Sequence, residues 1–574
     1  MDKHAAARLL ETIASYQELK GENPFKVRAF ANAARTVESF PGDLDAALES
    51  GELAATKGIG PATLEVVREF AAGGRSTLLD ALRHEVPDGL VEMMKIAGLG
   101  VTKIRALHEQ LRISTVAELE LAARNGRLAA LPRFGEKTAG KILRGIEFLR
   151  RTSDYRLSHD AARAAERLRE TLAALPAAER VEIAGSVRRR AEVSRDLDFA
   201  LASRAGASDL QAQLAAMAAV SEVTAAGDGA FRLRLDDGSR ADVYAAPPER
   251  FGHCLAWATG GTVHLEKLAT RAVAGGCRVG ADGLFRGGEP VPCPDERAFY
   301  AALALPWIPP ELREGGDEID RAASGTLPRL LERDDLRGLL HCHSVYSDGA
   351  NTVADLAGAA RAAGYRYLGL TDHSAAAAYA GGLREEAVAR QHAEIDALNR
   401  GWDDFRVLKG IEADILADGA LDYGEDLLDR FDFVIGSVHS RMEQNRATMT
   451  ERVLRAMDDP HLTILGHPTG RLLLGRDPYP LDLDAVIARA AERRVAIEIN
   501  GDPQRLDLDW RRCREARTAG VAIAIGADAH SLAGLDNVAF GVGVARKGWL
   551  EARDVLNTLD ADAFLARARA RRQP

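Results

Sequence analysis

Seven short apolar runs, each ending in polar residues, occupy the chain between residues 336 and 574. The runs read RGLLHCHS, YRYLGLTDHS, FRVLKGIEADI, FDFVIGSVHS, LTILGHPTG, VAIEINGD and VAIAIGADAHS. Alanine-rich, helix-like segments separate most of them. Strands and helices that alternate at this pitch predict a parallel barrel, whose chemistry-bearing residues gather at the carboxyl ends of the strands.

The residues at the ends of these runs are of the types that bind metals. Six of the seven runs end in histidine, aspartate or glutamate, and the loop after the first run adds one more aspartate. The nine candidates are His341, His343, Asp348, His373, Glu412, His439, His467, Asp528 and His530. One histidine at a strand end is as well explained by a hydrogen-bonded imidazole, but six such ends on one rim are not. We therefore predict a metal centre.

The number and type of these ligands indicate several ions. One Zn²⁺ needs about four protein ligands, so nine suggest three metals with one carboxylate bridging. Imidazole and carboxylate ligands without thiolate fit Zn²⁺, Mn²⁺ or Fe²⁺. Cys342 lies between two of the histidines, and strand alternation turns it to the opposite face, so we exclude it as a ligand.

This segment, residues 336–574, resembles the PHP (polymerase and histidinol phosphatase) family, which has a distorted seven-stranded barrel and a trinuclear phosphoesterase site. The resemblance implies a division of the nine ligands among three metals. The first metal would be held by His341, His343, Glu412 and Asp528. Glu412 would bridge to a second metal held by His439 and His467, and Asp348, His373 and His530 would hold the third.

The N-terminal residues repeat a small pattern of a glycine turn followed by an amphipathic helix. KGIGPATLEVVREF (57–70) and AGLGVTKIRALHEQL (97–111) share it, and PRFGEKTAGKILRGI (132–146) is a weaker copy. Glycines let the backbone approach a ligand closely, and the helix N-terminus behind them suits a phosphate. A plain helical hairpin would explain one copy, but the repetition favours the helix-hairpin-helix DNA-backbone motif. Its predicted DNA-binding residues are Gly58, Gly60, Gly98 and Gly100.

The middle of the chain, residues about 151–315, mixes helices with strand-like runs and contains a set of aspartates. Asp196 and Asp198 are one residue apart, and alternation places both carboxylates on one face. Asp242 lies on another strand-like run. Acids this close repel one another unless cations lie between them, and two metals held by three carboxylates suit phosphoryl transfer. A polar edge strand is the simpler explanation for the DxD pattern alone.

GSVRRRAEVSRDLDFA, which starts at Gly185, resembles the palm signature of family X DNA polymerases. The resemblance implies that Asp196, Asp198 and Asp242 bind two Mg²⁺ or Mn²⁺ ions, with Asp242 helping to deprotonate the primer 3'-hydroxyl. WATGG (257–261) is similar to the turn beside the nucleotide sugar, and LPWIPPELREGGDEI (305–319) to the end of the thumb. The residues implied to bind the nucleotide are Gly185, Ser186, Arg189, Arg156, Trp257 and Gly260. In the N-terminal hairpin, Lys26 and Arg28 are implied to hold a DNA phosphate.

Several positions depart from the family pattern. Ala258 replaces a second aromatic residue and Gly261 replaces the serine of the turn, which affects sugar discrimination. Leu265 and Ala269 stand where residues that touch the base and the template are expected. Val66 occupies the position of the lysine that forms a Schiff base in deoxyribose-phosphate lyases. Because only an amine performs that chemistry, we do not expect lyase activity.

Composition sets further limits. A chain of 574 residues is expected to form about three to five domains. The net charge of −10 argues against a uniformly basic nucleic-acid coat but leaves room for local basic patches. The five cysteines are scattered, which fits a reduced cytosolic protein. No run of about 18 apolar residues predicts a membrane span.

The sequence therefore predicts a multidomain fold: an all-α helix-hairpin-helix region, an α+β palm and thumb, and an α/β barrel of distorted (β/α)7 type. The predicted segments are 1–85 (N-terminal helix-hairpin-helix), 86–150 (helix-hairpin-helix fingers), 151–248 (palm), 249–317 (thumb), 318–335 (linker) and 336–574 (barrel). We expect a monomeric bacterial cytosolic enzyme that extends gapped or primed DNA with deoxynucleoside triphosphates and trims 3' ends in repair. The alternative is a phosphoesterase whose polymerase half is only a DNA-binding adaptor.

Overall fold

The computed structural model describes residues 3–38, 40, 42–96, 98–129, 131–132, 134–227 and 229–572. The chain forms two compact units, Met1–Asp154 and Tyr155–Pro574. Within the described residues, no helix combines the length and the apolar character needed to cross a membrane.

The first unit is helical. Its helices α1 to α10 span Lys3–Lys20, Pro24–Glu38, Leu44–Ser50, Glu52–Ala55, Pro61–Gly73, Thr77–Glu85, Asp88–Met93, Val101–Leu111, Val116–Arg124 and Glu136–Thr152. Apolar residues at helical spacing, such as Leu10, Ile13, Phe30 and Val37, are buried in one continuous core. This core joins helices from both predicted helix-hairpin-helix segments.

The repeated glycine turns have the geometry that the pattern predicts. Gly58 has a φ of 102° and Gly98 a φ of 81°, which is left-handed backbone that favours glycine. Two residues later, Gly60 and Gly100 cap the N-termini of α5 and α8. A Cβ placed on Gly60, Gly98 or Gly100 would meet no atom within 4 Å, so the approach to these turns is open.

The second unit begins with a five-stranded sheet in the order β2-β4-β7-β6-β5. Its elements are β1 Arg156–Leu157, α11 Ser158–Ala173, β2 Arg180–Ile183, α12 Gly185–Arg188, β3 Val193–Ser194, β4 Leu197–Ala202, α13 Ala207–Ala215, β5 Val220–Gly227, β6 Ala230–Leu235 and β7 Arg240–Ala246. Leu197, Phe199 and Leu201 of β4 pack in the core with α11 and α13. Because strand side chains alternate, Asp198 points to the opposite face.

A mixed region follows the sheet. It contains α14 Phe251–Thr259, α15 Thr262–Ala274, β8 Cys277–Gly280, β9 Gly283–Arg286, β10 Glu289–Pro290, α16 Glu296–Ala302 and α17 Glu318–Ala323. The segment 318–335, predicted as a linker, is packed rather than loose. Glu318 is fully buried, Leu330 belongs to the core of this region and Leu331 to the core of the barrel. Because most residues of this segment are polar, the sequence did not identify Leu330 and Leu331 as core residues.

The remaining strands form the predicted barrel. They span β11 Gly338–Cys342, β12 Tyr367–Leu370, β13 Arg406–Asp414, β14 Phe433–Ser437, β15 Leu462–Leu465, β16 Ala496–Asn500 and β17 Ile523–Ala529. All pair in parallel and in sequence order, and β17 closes on β11. The seven apolar runs of the sequence are these seven strands.

Helices surround the barrel. They are α18 Val353–Ala362, α19 Glu385–Asn399, α20 Glu425–Leu428, α21 Arg446–Asp458, α22 Leu483–Arg493, α23 Trp510–Thr518, α24 Val538–Lys547 and α25 Ala561–Ala570. Short 3₁₀ turns in this unit lie at Pro248–Arg250, Pro310–Leu312, Arg333–Asp335, Ala378–Ala380, Ala533–Asn537, Ala552–Asp554 and Leu556–Thr558. Apolar residues of the strands and helices form the main barrel core, which leaves the carboxyl ends of the strands to polar side chains.

Candidate active sites

The barrel brings all nine predicted ligands to one end. His341, Glu412 and Asp528 lie in β11, β13 and β17, and the other six follow strand ends. Ligand atoms within 4.8 Å of one another form three clusters: His343, Asp348, His373 and His530; His341, His343 and Asp528; and His373, Glu412 and His439. His343 and His373 each belong to two clusters. They therefore lie between neighbouring sites rather than in one site each.

Glu412 occupies the centre of this group. Its Oε1 lies 3.0 Å from His467 Nε2, 3.3 Å from His439 Nε2 and 3.4 Å from His341 Nε2. Its Oε2 lies 3.0 Å from His373 Nδ1. One carboxylate thus faces histidines from four strand ends, which is the arrangement expected of a bridging ligand.

Three of the predicted ligands have unusual backbone conformations. His341 has a φ of 61°, Asp528 a φ of 49° and His467 a φ of 22°, and positive φ values are costly for residues other than glycine. The register of β11 with both its neighbours shifts between residue 339 or 340 and Cys342, next to His341. The strand irregularity lets both His341 and His343 join the site, while Cys342 is buried in the barrel core. The position of Cys342 in this core therefore agrees with its exclusion as a metal ligand.

Buried ring nitrogens without partners test whether the site fits metals. His341 Nε2, both nitrogens of His343, His373 Nδ1, His467 Nδ1 and the carboxylate oxygen Glu412 Oε2 are buried and make no hydrogen bond. The 3.0 Å approach of His373 Nδ1 to Glu412 Oε2 lacks hydrogen-bond geometry. Leaving such a group unsatisfied costs about 1–3 kcal/mol, and several in one place are exceptional. Divalent cations would satisfy this nitrogen and carboxylate set, so the residues fit the metals that the sequence predicts.

A layer of carboxylates behind the ligands was not predicted. Glu498 Oε1 lies 2.5 Å from His341 Nδ1, and Glu498 Oε2 accepts the backbone N–H of His467 at 2.7 Å. Asp414 Oδ1 lies 2.6 Å from His439 Nδ1. Such partners fix the orientation of a ligand imidazole and raise its basicity. The sequence feature that could have identified Glu498 is its position as the one charged residue within the apolar run VAIEIN.

The electrostatics of the cluster distinguish its histidines. Burial, together with the neighbouring His530 and His373, lowers the pKa of His343 to about 3. Burial opposes charge on His439 too, but the carboxylates of Glu412 and Asp414 raise its pKa to about 10. Likewise burial is outweighed at His530, where Asp348 and Asp528 raise the pKa to about 9. Binding of metal at the latter two must therefore displace protons near neutral pH.

Arg505 is a further residue that the sequence reasoning missed. It follows β16, the one barrel strand without a predicted ligand, and its Nε lies 3.4 Å from Asp528 Oδ2. Its Nη1 is buried and has no hydrogen-bond partner. A guanidinium with a free donor beside a metal-ligand cluster suits an anionic substrate group.

The palm aspartates form a second, separate set. Asp198 and Asp242 are direct partners across the parallel strands β4 and β7. Burial and the charges of Asp196 and Asp242 raise the pKa of Asp198 to about 7. Burial and Asp196 also raise the pKa of Asp242. The charges of these acids therefore raise one another's pKa as predicted. Among the described residues, however, clusters of three or more ligand atoms within 4.8 Å of one another lie in the barrel, and the three aspartates do not form one.

The glycine of the palm signature is required by one of these acids. Gly185 has a φ of 56°, and a Cβ on it would lie 1.7 Å from Asp198 Oδ2. Ser186, the next residue, donates its hydroxyl to Ser194 at 2.9 Å. Asp196 and Asp242 line an adjoining cavity of about 400 Å³ together with Arg232 and Arg240. Two basic side chains, Arg232 and Arg240, and a cavity therefore lie beside the acids.

The other predicted nucleotide-binding residues have diverse surroundings. Arg189 donates Nε to Glu314 Oε1 at 2.9 Å and Nη1 to the Thr259 carbonyl at 2.7 Å. Arg156 donates to Asp237 at 2.9 Å. Trp257 stacks on His253 at 5.9 Å between ring centroids and lines a different cavity of about 400 Å³.

The departures from the family pattern also have structural counterparts. Gly260 caps α14, and a Cβ on it would lie 2.6 Å from Leu265 Cδ2. Leu265 thus packs against the turn instead of pointing away from it. Val66 is buried in the helical core, and its side chain carries no amine for Schiff-base chemistry. Lys26 and Arg28 are exposed on the first turns of α2.

Four family models match the chain. They are a helix-hairpin-helix domain at residues 1–76, a SAM-like helix-hairpin-helix tandem at 90–147, a DNA polymerase beta thumb at 254–314 and a PHP domain at 340–501. The matches fall on the helical unit, on the region after the five-stranded sheet and on the barrel. They agree with the fold that the sequence predicts.

Curated relatives match either nearly the whole chain or about a third of it or less. Probable phosphatases from Shewanella sp. (strain MR-4) and Clostridium acetobutylicum are 31% and 35% identical over 34% and 22% of this chain, and 78% and 53% of their own lengths. The DNA polymerase/3'-5' exonuclease PolX of Bacillus subtilis (strain 168) is 38% identical over 99% of this chain and 100% of its own length. The chain therefore belongs to the bacterial family X DNA polymerases that carry a C-terminal PHP domain.

Proposed function

We propose that this chain extends DNA primers across short gaps in DNA repair and that its barrel removes nucleotides from 3' ends. The observation that carries the proposal is the presence of two separate sets of metal-ligand side chains, three carboxylates on the palm sheet and nine ligands on the barrel rim. The substrates would be gapped or primed DNA and deoxynucleoside triphosphates. A monomer in the bacterial cytosol would suffice, since each set is complete within one chain.

For primer extension, Asp196, Asp198 and Asp242 would hold two Mg²⁺ or Mn²⁺ ions. Asp242 would accept the proton of the primer 3'-hydroxyl, and Gly185, Ser186 and Arg189 would hold the triphosphate, joined by Arg156. The raised pKa of Asp198 supports this proposal, because the three acids need cations to share one face. Repulsion of this kind in the absence of metal disfavours the alternative of an inactive adaptor.

For 3'-end removal, the barrel ligands would hold up to three ions, with Mn²⁺ preferred over Zn²⁺ or Fe²⁺ as the working metal. Bound divalent ions would supply the Lewis acid that offsets charge on the phosphodiester and on its departing oxygen. Glu498 and Asp414 would orient His341 and His439. Arg505 would offer its free Nη1 to a non-bridging phosphate oxygen.

Two variants separate the activities. Asp196→Ala/Asp198→Ala and His343→Ala are assayed on a one-nucleotide gapped duplex with Mn²⁺, with exposed Asp334→Ala and His84→Ala as matched controls. Loss of extension only in the first variant and of 3' digestion only in the second is expected. If the aspartate variant extends at the parental rate, the palm assignment is wrong; if His343→Ala digests normally, the barrel assignment is wrong.

A further inference from the structure

The mouth of the barrel site has an apolar rim. Among the described barrel residues, the large apolar side chains that stay exposed are Val345, Tyr379 and Leu532, at 51%, 73% and 42%. All three follow metal-ligand residues closely in sequence: Val345 follows His343, Tyr379 follows His373 and Leu532 follows His530. Isolated exposed apolar residues are common, but three at one mouth indicate a binding surface.

Tyr379 stands directly at this mouth. Its ring centroid lies 6.2 Å from that of His373 and 6.4 Å from that of His439. Ala377 and Ala380 are buried, whereas Ala378 and Tyr379 between them are exposed, so the tyrosine is the large side chain that this turn presents to solvent. The loop closes where Leu383 donates its backbone N–H to the His373 carbonyl at 2.8 Å. The tyrosine ring is therefore carried on a loop that begins at His373, one of the predicted metal ligands.

Val345 and Leu532 are held beside each other by one residue. The Val345 backbone N–H donates to the Asn351 carbonyl, and the Leu532 backbone N–H donates to Asn351 Oδ1, both at 3.0 Å. The loops after the first and the last strand are therefore joined at the rim. Exposed apolar side chains on loops joined in this way, beside a cluster of predicted metal ligands, indicate a ligand with both an anionic group and a flat apolar group.

We propose that Tyr379, with Val345 and Leu532, forms a stacking subsite for the terminal nucleobase of a DNA 3' end whose phosphodiester enters the barrel site. Aromatic faces bind bases without regard to sequence, at about 1–3 kcal/mol for each base. The subsite would favour unpaired ends, whose bases are free to leave the helical stack. The proposal rests on the exonuclease function proposed above and names its substrate class.

The test compares ends with and without a base. Tyr379→Ala, Tyr379→Phe and the parent are given Mn²⁺ and a single-stranded oligothymidylate that ends in thymidine or in a tetrahydrofuran abasic residue. Tyr379→Ala should lower kcat/KM about tenfold or more on the thymidine end and less than about twofold on the abasic end. Tyr379→Phe should match the parent on both. Equal losses on the two ends, or no loss on either, would overturn the subsite.

A binding measurement separates failure of the subsite from failure of the proposed function. An oligonucleotide with 3'-terminal 2-aminopurine and a phosphorothioate at the last linkage reports stacking by quenched fluorescence. Quenching by the parent and by Tyr379→Phe but not by Tyr379→Ala supports the subsite even if no nucleotide is released, in which case the exonuclease function fails alone. Equal quenching by all three proteins refutes the subsite whatever the activity.

Discussion

Lys547 of the barrel domain and Arg189 of the palm share one oxygen of a third residue. Arg189 Nε donates to Glu314 Oε1 at 2.9 Å, and Lys547 Nζ donates to the same oxygen. Lys547 Nζ also donates to the Arg189 carbonyl at 3.1 Å. Only 2% of the Lys547 side chain is exposed. Lys547 of the barrel thus neutralises part of the negative charge of Glu314, the carboxylate that binds Arg189. Arg189 is the arginine proposed to bind the triphosphate.

This contact predicts that Lys547→Met weakens nucleotide binding. Without the ammonium, Glu314 would hold Arg189 more strongly, and a triphosphate would compete less well for it. We expect the KM for deoxynucleoside triphosphate to rise about tenfold, equivalent to about 1.4 kcal/mol, with a smaller change in kcat. Steady-state kinetics on a one-nucleotide gap measure both values, with exposed Arg553→Met as the control.

A double variant distinguishes this electrostatic effect from local unfolding. Because Lys547 would act through the charge of Glu314, Lys547→Met/Glu314→Gln should have the KM of Glu314→Gln alone, within about twofold. A double variant as impaired as Lys547→Met would mean that the lysine only supports packing, for instance through its contact with Trp510 at 4.7 Å.

Gly185→Ala should abolish primer extension. The new Cβ would collide with Asp198 Oδ2 on a backbone whose φ of 56° already disfavours alanine, so the carboxylate must move. Gly206→Ala is the matched control, because its Cβ would meet nothing within 4 Å. Extension and 3' digestion are measured on the same preparations. Normal extension by Gly185→Ala would show that the position of Asp198 is not critical.

The strand ends were predictable because six of the seven barrel strands are short apolar runs that stop at a predicted ligand. The palm acids were predictable because their order along the chain is distinctive. Glu498 and Arg505 were missed since the relevant partners, His341 and Asp528, come from other strands. Contacts such as that of Lys547 with Arg189, which lie 358 residues apart in sequence, depend on how domains pack and leave no local pattern.

Asp198→Asn should abolish extension yet stabilise the metal-free protein at alkaline pH. The folded pKa of Asp198, about 7, lies above the unfolded value of about 3.9. The folded state therefore keeps a proton that the unfolded state releases, and this stabilisation is lost as pH rises from about 4 to 7. The advantage of the asparagine variant should grow over that range, to at most about 4 kcal/mol, and level off above it.

Thermal unfolding in EDTA at pH 5 and pH 8 measures this difference. The rise in Tm of Asp198→Asn over the parent should be larger at pH 8, and added Mg²⁺ should stabilise the parent more than the variant. A Tm difference that shrinks between pH 5 and pH 8 would contradict the raised pKa. If Asp198→Asn loses extension but its Tm equals that of the parent, Asp198 is needed for the reaction but is not destabilised by repulsion from the neighbouring aspartates.

Glu498→Gln should weaken metal binding in the barrel while the fold is kept. Glu498 lies 2.5 Å from His341 Nδ1, and its carboxylate makes the imidazole a stronger ligand through Nε2. Loss of such a partner typically costs about 10–100-fold in metal affinity. Competition with a chelator, read by the metal content of the protein, gives the affinity, with exposed Glu492→Gln as control. Parental affinity in Glu498→Gln would show that His341 does not depend on this carboxylate, because a glutamine can accept the same hydrogen bond but cannot supply the charge.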